Sequence, residues 1–224
     1  TQFKTELENL PDVKRMMLRM RAMSRGLRSL MLYTSNLFDL AEKDKKYNDY
    51  IGLLVPICKS FGSDEGFKVA VEAVQCHGGY GFCTEYGIEQ FVRDTKIASL
   101  YEGTNGIQAI DFVTRKILKD GGKSLQQLSE DIFKTSNRLS DDFTFEKGIF
   151  SKALAAAQEA MGFIGKKAKK GEMNFVLQNC MDFLNLSAHI VVAWRLMESA
   201  WIAEEKMGSA ESDEKELLET KIVD

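Results

Sequence analysis

Met16, Met20, Met23, Leu27, Leu30, Thr34, Leu37 and Ala41 follow one another at alternating steps of four and three. An α-helix completes a turn every 3.6 residues, so such a run lies along one side of a single long helix. Asn9-Leu10-Pro11-Asp12 precedes it, with Pro in the first turn and Asp beside it as helix-start signals. The spacing predicts a helix to about Lys43, and its apolar side needs other helices to cover it. Arg15, Arg19, Arg21, Arg25 and Arg28 fall off the seam and predict a solvated face. The methionines on it fill core space.

The rest of the chain repeats this theme. The polar run Glu42-Lys43-Asp44-Lys45-Lys46 predicts a turn, and a second helix is expected over about Tyr47 to His77, kinked at Pro56. A glycine-rich break at residues 78–81 follows, then a short helix around Tyr86 to Asp94. A turn at residues 99–106 has Thr104 as N-cap of a helix to about Lys119. Asp120-Gly121-Gly122-Lys123 is the best boundary, dividing residues 1–120 from 121–224. Beyond it we expect helices over about Ser124 to Leu139, Phe145 to Lys169 and Asn174 to Met207. Trp194 and Trp201, seven residues apart, read as core. There are 2 prolines in 224 residues and no period-2 stretch, so the predicted fold class is all-α.

Charge and cysteine usage narrow the partners. Thirty Lys and Arg against 33 Asp and Glu leave a net charge of -3, without the basic excess of a nucleic-acid scaffold. Four cysteines in a chain of this length make no disulfide framework; read as reduced, they predict a cytoplasmic setting. The uncharged stretch Phe183 to Trp194 is too short to span a bilayer. The chain starts without Met and ends with an amphipathic helix in progress, Leu218 and Ile222 being four apart. We therefore expect a piece of a longer protein, cut off at its end.

Three constellations carry possible chemistry. Glu102 is a lone carboxylate on a turn beside Tyr101; partly desolvated there, it can act as a general base, or it can serve the helix entrance electrostatically. Gly78-Gly79-Tyr80-Gly81 could let a ligand approach the backbone, although its pattern matches no phosphate loop and a helix stop is the plainer reading. Cys76, His77 and Cys83 lack a fourth ligand and a zinc-site spacing, so no metal is expected. His189, inside an apolar stretch, is expected to be a hydrogen-bonded core histidine.

Four short motifs occur in order: residues 73–82 (Ala-Val-Gln-Cys-His-Gly-Gly-Tyr-Gly-Phe), Thr84-Glu85-Tyr86, Arg93-Asp94-Thr95-Lys96-Ile97, and residues 100–108 (Leu-Tyr-Glu-Gly-Thr-Asn-Gly-Ile-Gln). With this spacing, the stretch from about Leu10 to Leu118 resembles the C-terminal domain of an acyl-CoA dehydrogenase. The remainder resembles the additional helical module that one subgroup carries.

The resemblance implies a four-helix bundle, here without its first helix and its Arg-x-x-Phe-Gly signature, followed by a helical extension. It implies FAD as cofactor and oxidation of an acyl-CoA thioester to the trans-2-enoyl-CoA. Glu102 takes the place of the base, and Tyr101 and Gly103 of substrate contacts. Gln75, Gly78 and Gly79 would touch FAD of a neighbouring subunit, and Thr104 the FAD phosphates. Gly106 stands at the cofactor position where the family often has Gln. An electron-transfer flavoprotein as acceptor and a homodimer or homotetramer also follow from the resemblance. The family's middle β domain is absent from this sequence, so the piece by itself is expected to be inactive. An acyl-CoA oxidase or alkylation-response relative shares the extension. A non-catalytic helical interaction module is the alternative from another class; it has no need of Glu102.

Overall fold

Pro11 opens the first helix and Asp12 lies in its first turn, where a carboxylate meets the positive end of the helix dipole. The computed structural model describes Glu6 and residues 9–223. Helix α1 (Pro11–Lys43) buries Met16, Leu27, Leu30, Thr34 and Leu37 of the expected seam. After three residues the chain turns back as α2 (Tyr47–His77), completing a helical hairpin. α2 is the central helix: Tyr50, Ile51, Leu53, Leu54, Ile57 and Phe61 are all at most 5% exposed. It continues through the buried Pro56.

The solvated arginine face holds only in part. Arg19 is half-buried and reaches across to α2, where it binds Glu65 at 2.7 Å and Glu72 at 2.8 Å. Glu65 is 1% exposed and also takes Lys68 at 2.7 Å. A carboxylate is buried there only because cations answer it.

The glycine-rich break contains a helical turn, α3 (Gly79–Phe82), before α4 (Ile88–Lys96) runs beside α2. α5 (Asn105–Ile110) widens into a π-helical segment, Asp111–Leu118, instead of the regular helix expected. Its end shows the five-residue step, with Lys119 N–H donating to Thr114 O at 3.2 Å and Gly122 N–H to Ile117 O at 2.9 Å. The segment still buries Phe112, Val113 and Ile117. Asp120 then accepts from the amides of Gly122 (2.7 Å) and Ser124 (3.0 Å), capping the next helix.

Four helices complete the chain: α6 (Lys123–Ser136), α7 (Thr144–Lys169), α8 (Met173–Met207) and α9 (Ser212–Val223). α8 lies across both halves. Its Phe183 packs near Phe112, its His189 ring is edge-on to Phe61 at 4.7 Å, and its Trp194 is edge-on to Tyr33 at 5.2 Å. One buried apolar cluster therefore runs across Gly121-Gly122, from Leu27, Leu54 and Phe112 to Leu128, Ile164 and Val191. By length and composition α8 could cross a membrane, and half of its most apolar window is buried in this core. Among the described residues there is no strand.

Two expectations for α8 change. Trp194 is buried, whereas Trp201 is half-buried under the Arg138 guanidinium, 4.7 Å from its ring. His189 is exposed, not core, with its Nδ1 donating to Asn185 O at 2.8 Å. It lines a mostly apolar cavity of about 500 Å³ between α1, α7, α8 and α9.

Candidate functional site

Glu102 is built onto the chain by a strained turn. Its φ of 54° makes it the one non-glycine residue with positive φ among the described residues, and Gly103 follows at 84°. Left-handed backbone costs a glutamate of order 1 kcal/mol, so neighbouring bonds must hold it. Thr104 is the N-cap of α5, its hydroxyl accepting from Ile107 N–H at 3.4 Å. Gln108, one turn on, donates its side-chain amide to Glu102 O at 3.4 Å.

Gly103 and Asn105 are tied to α2. Lys59 Nζ donates to Gly103 O at 2.6 Å and to Asn105 Oδ1 at 2.9 Å. Asn105 is 6% exposed and donates to Ser60 O at 3.1 Å and Ser63 Oγ at 2.9 Å. Neither Lys59 nor Asn105 stood out in the sequence. A lysine on a helix looks like surface charge until the loop that crosses it is known, and the resemblance gives Asn105 no role, although it lies inside the motif of residues 100–108.

What the turn presents outward is chemically available. Among the described residues the Glu102 carboxylate has no cation or donor, and the Glu102 and Gly103 amides have no acceptor. A carboxylate acceptor thus stands beside free N–H donors. The expected partial desolvation is not supplied by this chain: Glu102 is exposed, and Tyr101 is 54% exposed. Leu100 and Ile107 are similarly open, so the turn lies on an apolar surface.

The first motif ends α2. Gly78 closes the helix with its amide on Gln75 O at 3.1 Å, and its φ of 60° with ψ of -143° is a backbone state open to glycine alone. Gly81 is demanded by space, since a Cβ there would come within 2.6 Å of Val74 O. Gln75, Gly78 and Gly79 are exposed, and nothing lies within 4 Å of a Cβ built at either of those two glycines. Gly106 is also exposed. Tyr80 and Tyr86 pair with ring centroids 5.1 Å apart, and Phe82 is 82% exposed. His77 and Cys83 bond locally, to Ala73 O and Gly79 O. Among the described residues no group of three His, Cys, Asp or Glu could hold a metal.

The chain does not bring the two motifs together. The Glu102 turn is fastened at Lys59 and Ser63, and Gln75 lies twelve residues farther along α2, about 18 Å at 1.5 Å per residue.

Comparison with known proteins fits this layout. The profile described as "Acyl-CoA dehydrogenase, C-terminal domain" matches residues 1–118, and "Acetyl-CoA dehydrogenase C-terminal like" matches residues 126–223. Among curated relatives, 3-methylmercaptopropionyl-CoA dehydrogenase of Ruegeria pomeroyi is 37% identical over 95% of this chain and 37% of its own. Broad-specificity linear acyl-CoA dehydrogenase FadE5 of Mycobacterium tuberculosis is 32% identical over the same shares. The chain thus spans little more than a third of these relatives' length. Among solved structures, Caenorhabditis elegans ACDH-11 in complex with C11-CoA superposes with a TM-score of 0.70 at 17% identity, over 99% of this chain and 37% of the other. An acyl-CoA dehydrogenase from Bacillus anthracis, complexed with FAD, gives 0.65 at 20% identity, over 97% of this chain and 38% of the other. With residues 1–118 and 126–223 matched in order, the chain belongs to the acyl-CoA dehydrogenase family, as the helical part at the family's C-terminal end.

Proposed function

We propose that the chain is the C-terminal part of an FAD-dependent acyl-CoA dehydrogenase, in which Glu102 removes the α-proton of an acyl-CoA thioester. The observation that carries this is the Glu102 turn itself: an unpaired carboxylate, beside amides without acceptors, on a strained backbone fastened to the central helix. An acyl thioester's α-proton is weakly acidic, so its removal needs a base in contact and a polarised carbonyl. The carboxylate of Glu102 accepts that proton, while its own N–H and that of Gly103 donate to the thioester oxygen. Tyr101 and Leu100 flank the acyl chain. Substrate binding expels water from this open surface and supplies the desolvation that the chain alone lacks.

The chain also has groups that fit a flavin. The exposed Gln75 amide, the open backbone at Gly78 and Gly79, and the exposed Thr104 and Gly106 offer polar contacts and room for close approach. Bound FAD supplies the acceptor for the β-hydride, leaving the trans-2-enoyl-CoA. Gln75, Gly78 and Gly79 lie away from the Glu102 turn along α2, and we assign them to the flavin of a neighbouring subunit in a homodimer or homotetramer. The relatives are named dehydrogenases and not oxidases, which supports an acceptor other than oxygen, and we take an electron-transfer flavoprotein for that acceptor. In the full-length protein, mixing with an acyl-CoA should bleach the flavin absorbance. Glu102→Gln should keep FAD and lower the bleaching rate about 10²-fold or more, the range for a lost general base. Bleaching at the normal rate in that variant would return Glu102 to a helix-entrance role.

A further inference from the structure

We propose that Lys59, through Asn105, is a positioning residue for the reaction, holding the Glu102 turn in its left-handed geometry; this rests on the reading of Glu102 as base. Three observations lead there. The turn is strained at Glu102, so it needs an external restraint. The restraint is present: one ammonium grips both the Gly103 carbonyl at 2.6 Å and the Asn105 side-chain oxygen at 2.9 Å. Asn105 is in turn locked into α2 by Ser60 O and Ser63 Oγ.

The third observation is what Lys59 lacks. It is half-buried, yet among the described residues no carboxylate pairs with it. A lysine kept as an ion pair would meet an acid. Here the cation is directed at the two peptide-like oxygens that follow Glu102. With Gln108 on the Glu102 carbonyl, two consecutive peptide planes are fixed from two different helices. The amides of Glu102 and Gly103 and the carboxylate of Glu102 then keep one mutual arrangement. Misplacing such a group by about 1 Å can cost on the order of 10²-fold in rate.

The test is a double-mutant cycle in the full-length holoenzyme, with Lys59→Met, Glu102→Gln and the pair. Lys59→Met should lower kcat about 10- to 100-fold with KM nearly constant and FAD content retained. The amides of Ile107 and Gln108, which bond to Thr104 at the end of the turn, should exchange with deuterium faster in the same variant. In the Glu102→Gln background, Lys59→Met should cost little more, because its effect passes through Glu102. Two results overturn the proposal while leaving the base reading intact: a kcat within about twofold of the parent in Lys59→Met, or an equal loss in both backgrounds. Near-normal turnover of Glu102→Gln alone removes the base reading, and the positioning role with it.

Discussion

Gly26 of α1 faces Val192 of α8 so closely that a Cβ at position 26 would clash with Val192 Cγ1. Val192 is 1% exposed and β-branched, so it cannot swing aside. Gly26→Ala gains up to about 1 kcal/mol of helix propensity and loses about 1–3 kcal/mol to overpacking, for a net loss. Gly66→Ala is the control: a Cβ there meets nothing within 4 Å, and it should stabilise by about 0.5–1 kcal/mol. Denaturant midpoints of the two variants should move in opposite directions; movement the same way would show that α8 yields at this crossing.

Trp194 Nε1 donates to Thr135 Oγ1 at 2.8 Å, and both residues are buried. Thr135→Val keeps the shape and orphans the indole N–H, at about 1–3 kcal/mol. Pairing it with Trp194→Phe should return part of that loss, since no donor is then left unmet. A loss in the double variant equal to the sum of the singles would mean the bond contributes nothing specific.

Alkaline stability should report on Tyr50. Burial pushes its phenol well above the usual value, and the nearby Tyr33 and Asp131 push the same way. A raised folded pKa favours the neutral form, so the contribution is complete below the unfolded value of about 10 and is lost as pH rises beyond it. Urea midpoints should be flat from about pH 7 to 9 and fall above about pH 10. Tyr50→Phe should flatten that alkaline limb, and an unchanged limb would assign it to other groups.

The four thiols should react in order of access. Burial raises the pKa of Cys58 and Cys180, which depresses the reactive thiolate. Cys76 is raised by burial and by the charges of Glu72 and Asp12, and Cys83 is exposed. Titration with a chromogenic disulfide near neutral pH should label Cys83 first, then Cys76. Cys58, half-buried with a raised pKa, should follow slowly, and the buried Cys180 should wait for unfolding; labelling of Cys180 before Cys76 would show local opening of α8.

The long helices were legible because periodicity and punctuation agree: the seam from Met16 to Ala41 ends where the charged run begins, and α1 and α2 stop where expected. Thr104 as N-cap was legible for the same local reason. Periodicity, however, sees only one side of a helix. Arg19 lies off the seam and still turns inward, because Glu65 waits on the neighbouring helix. His189 sits in an apolar run and still points outward, since its ring lies against Phe61 at the margin of the core. The π segment after Ile110 leaves no clear mark in the sequence; it packs against α2 and α8 and buries Phe112 and Ile117 there. At the site, the carboxylate and its turn could be named in advance. The lysine that fastens them could not, because its partner is a backbone carbonyl forty-four residues away.

The core that crosses Gly121-Gly122 bears on how such chains lengthen and shorten in evolution. Gly26, Tyr33, Phe61 and Phe112 all meet α8. A relative that ended near residue 120 would present those positions to water or to another subunit, and each buried aromatic so exposed forfeits about 1.5–3 kcal/mol. Gain of the extension and the apolar character of those four positions are therefore coupled, and a shortened descendant is expected to have recoloured that face with polar side chains or to have replaced α8 with a neighbouring molecule.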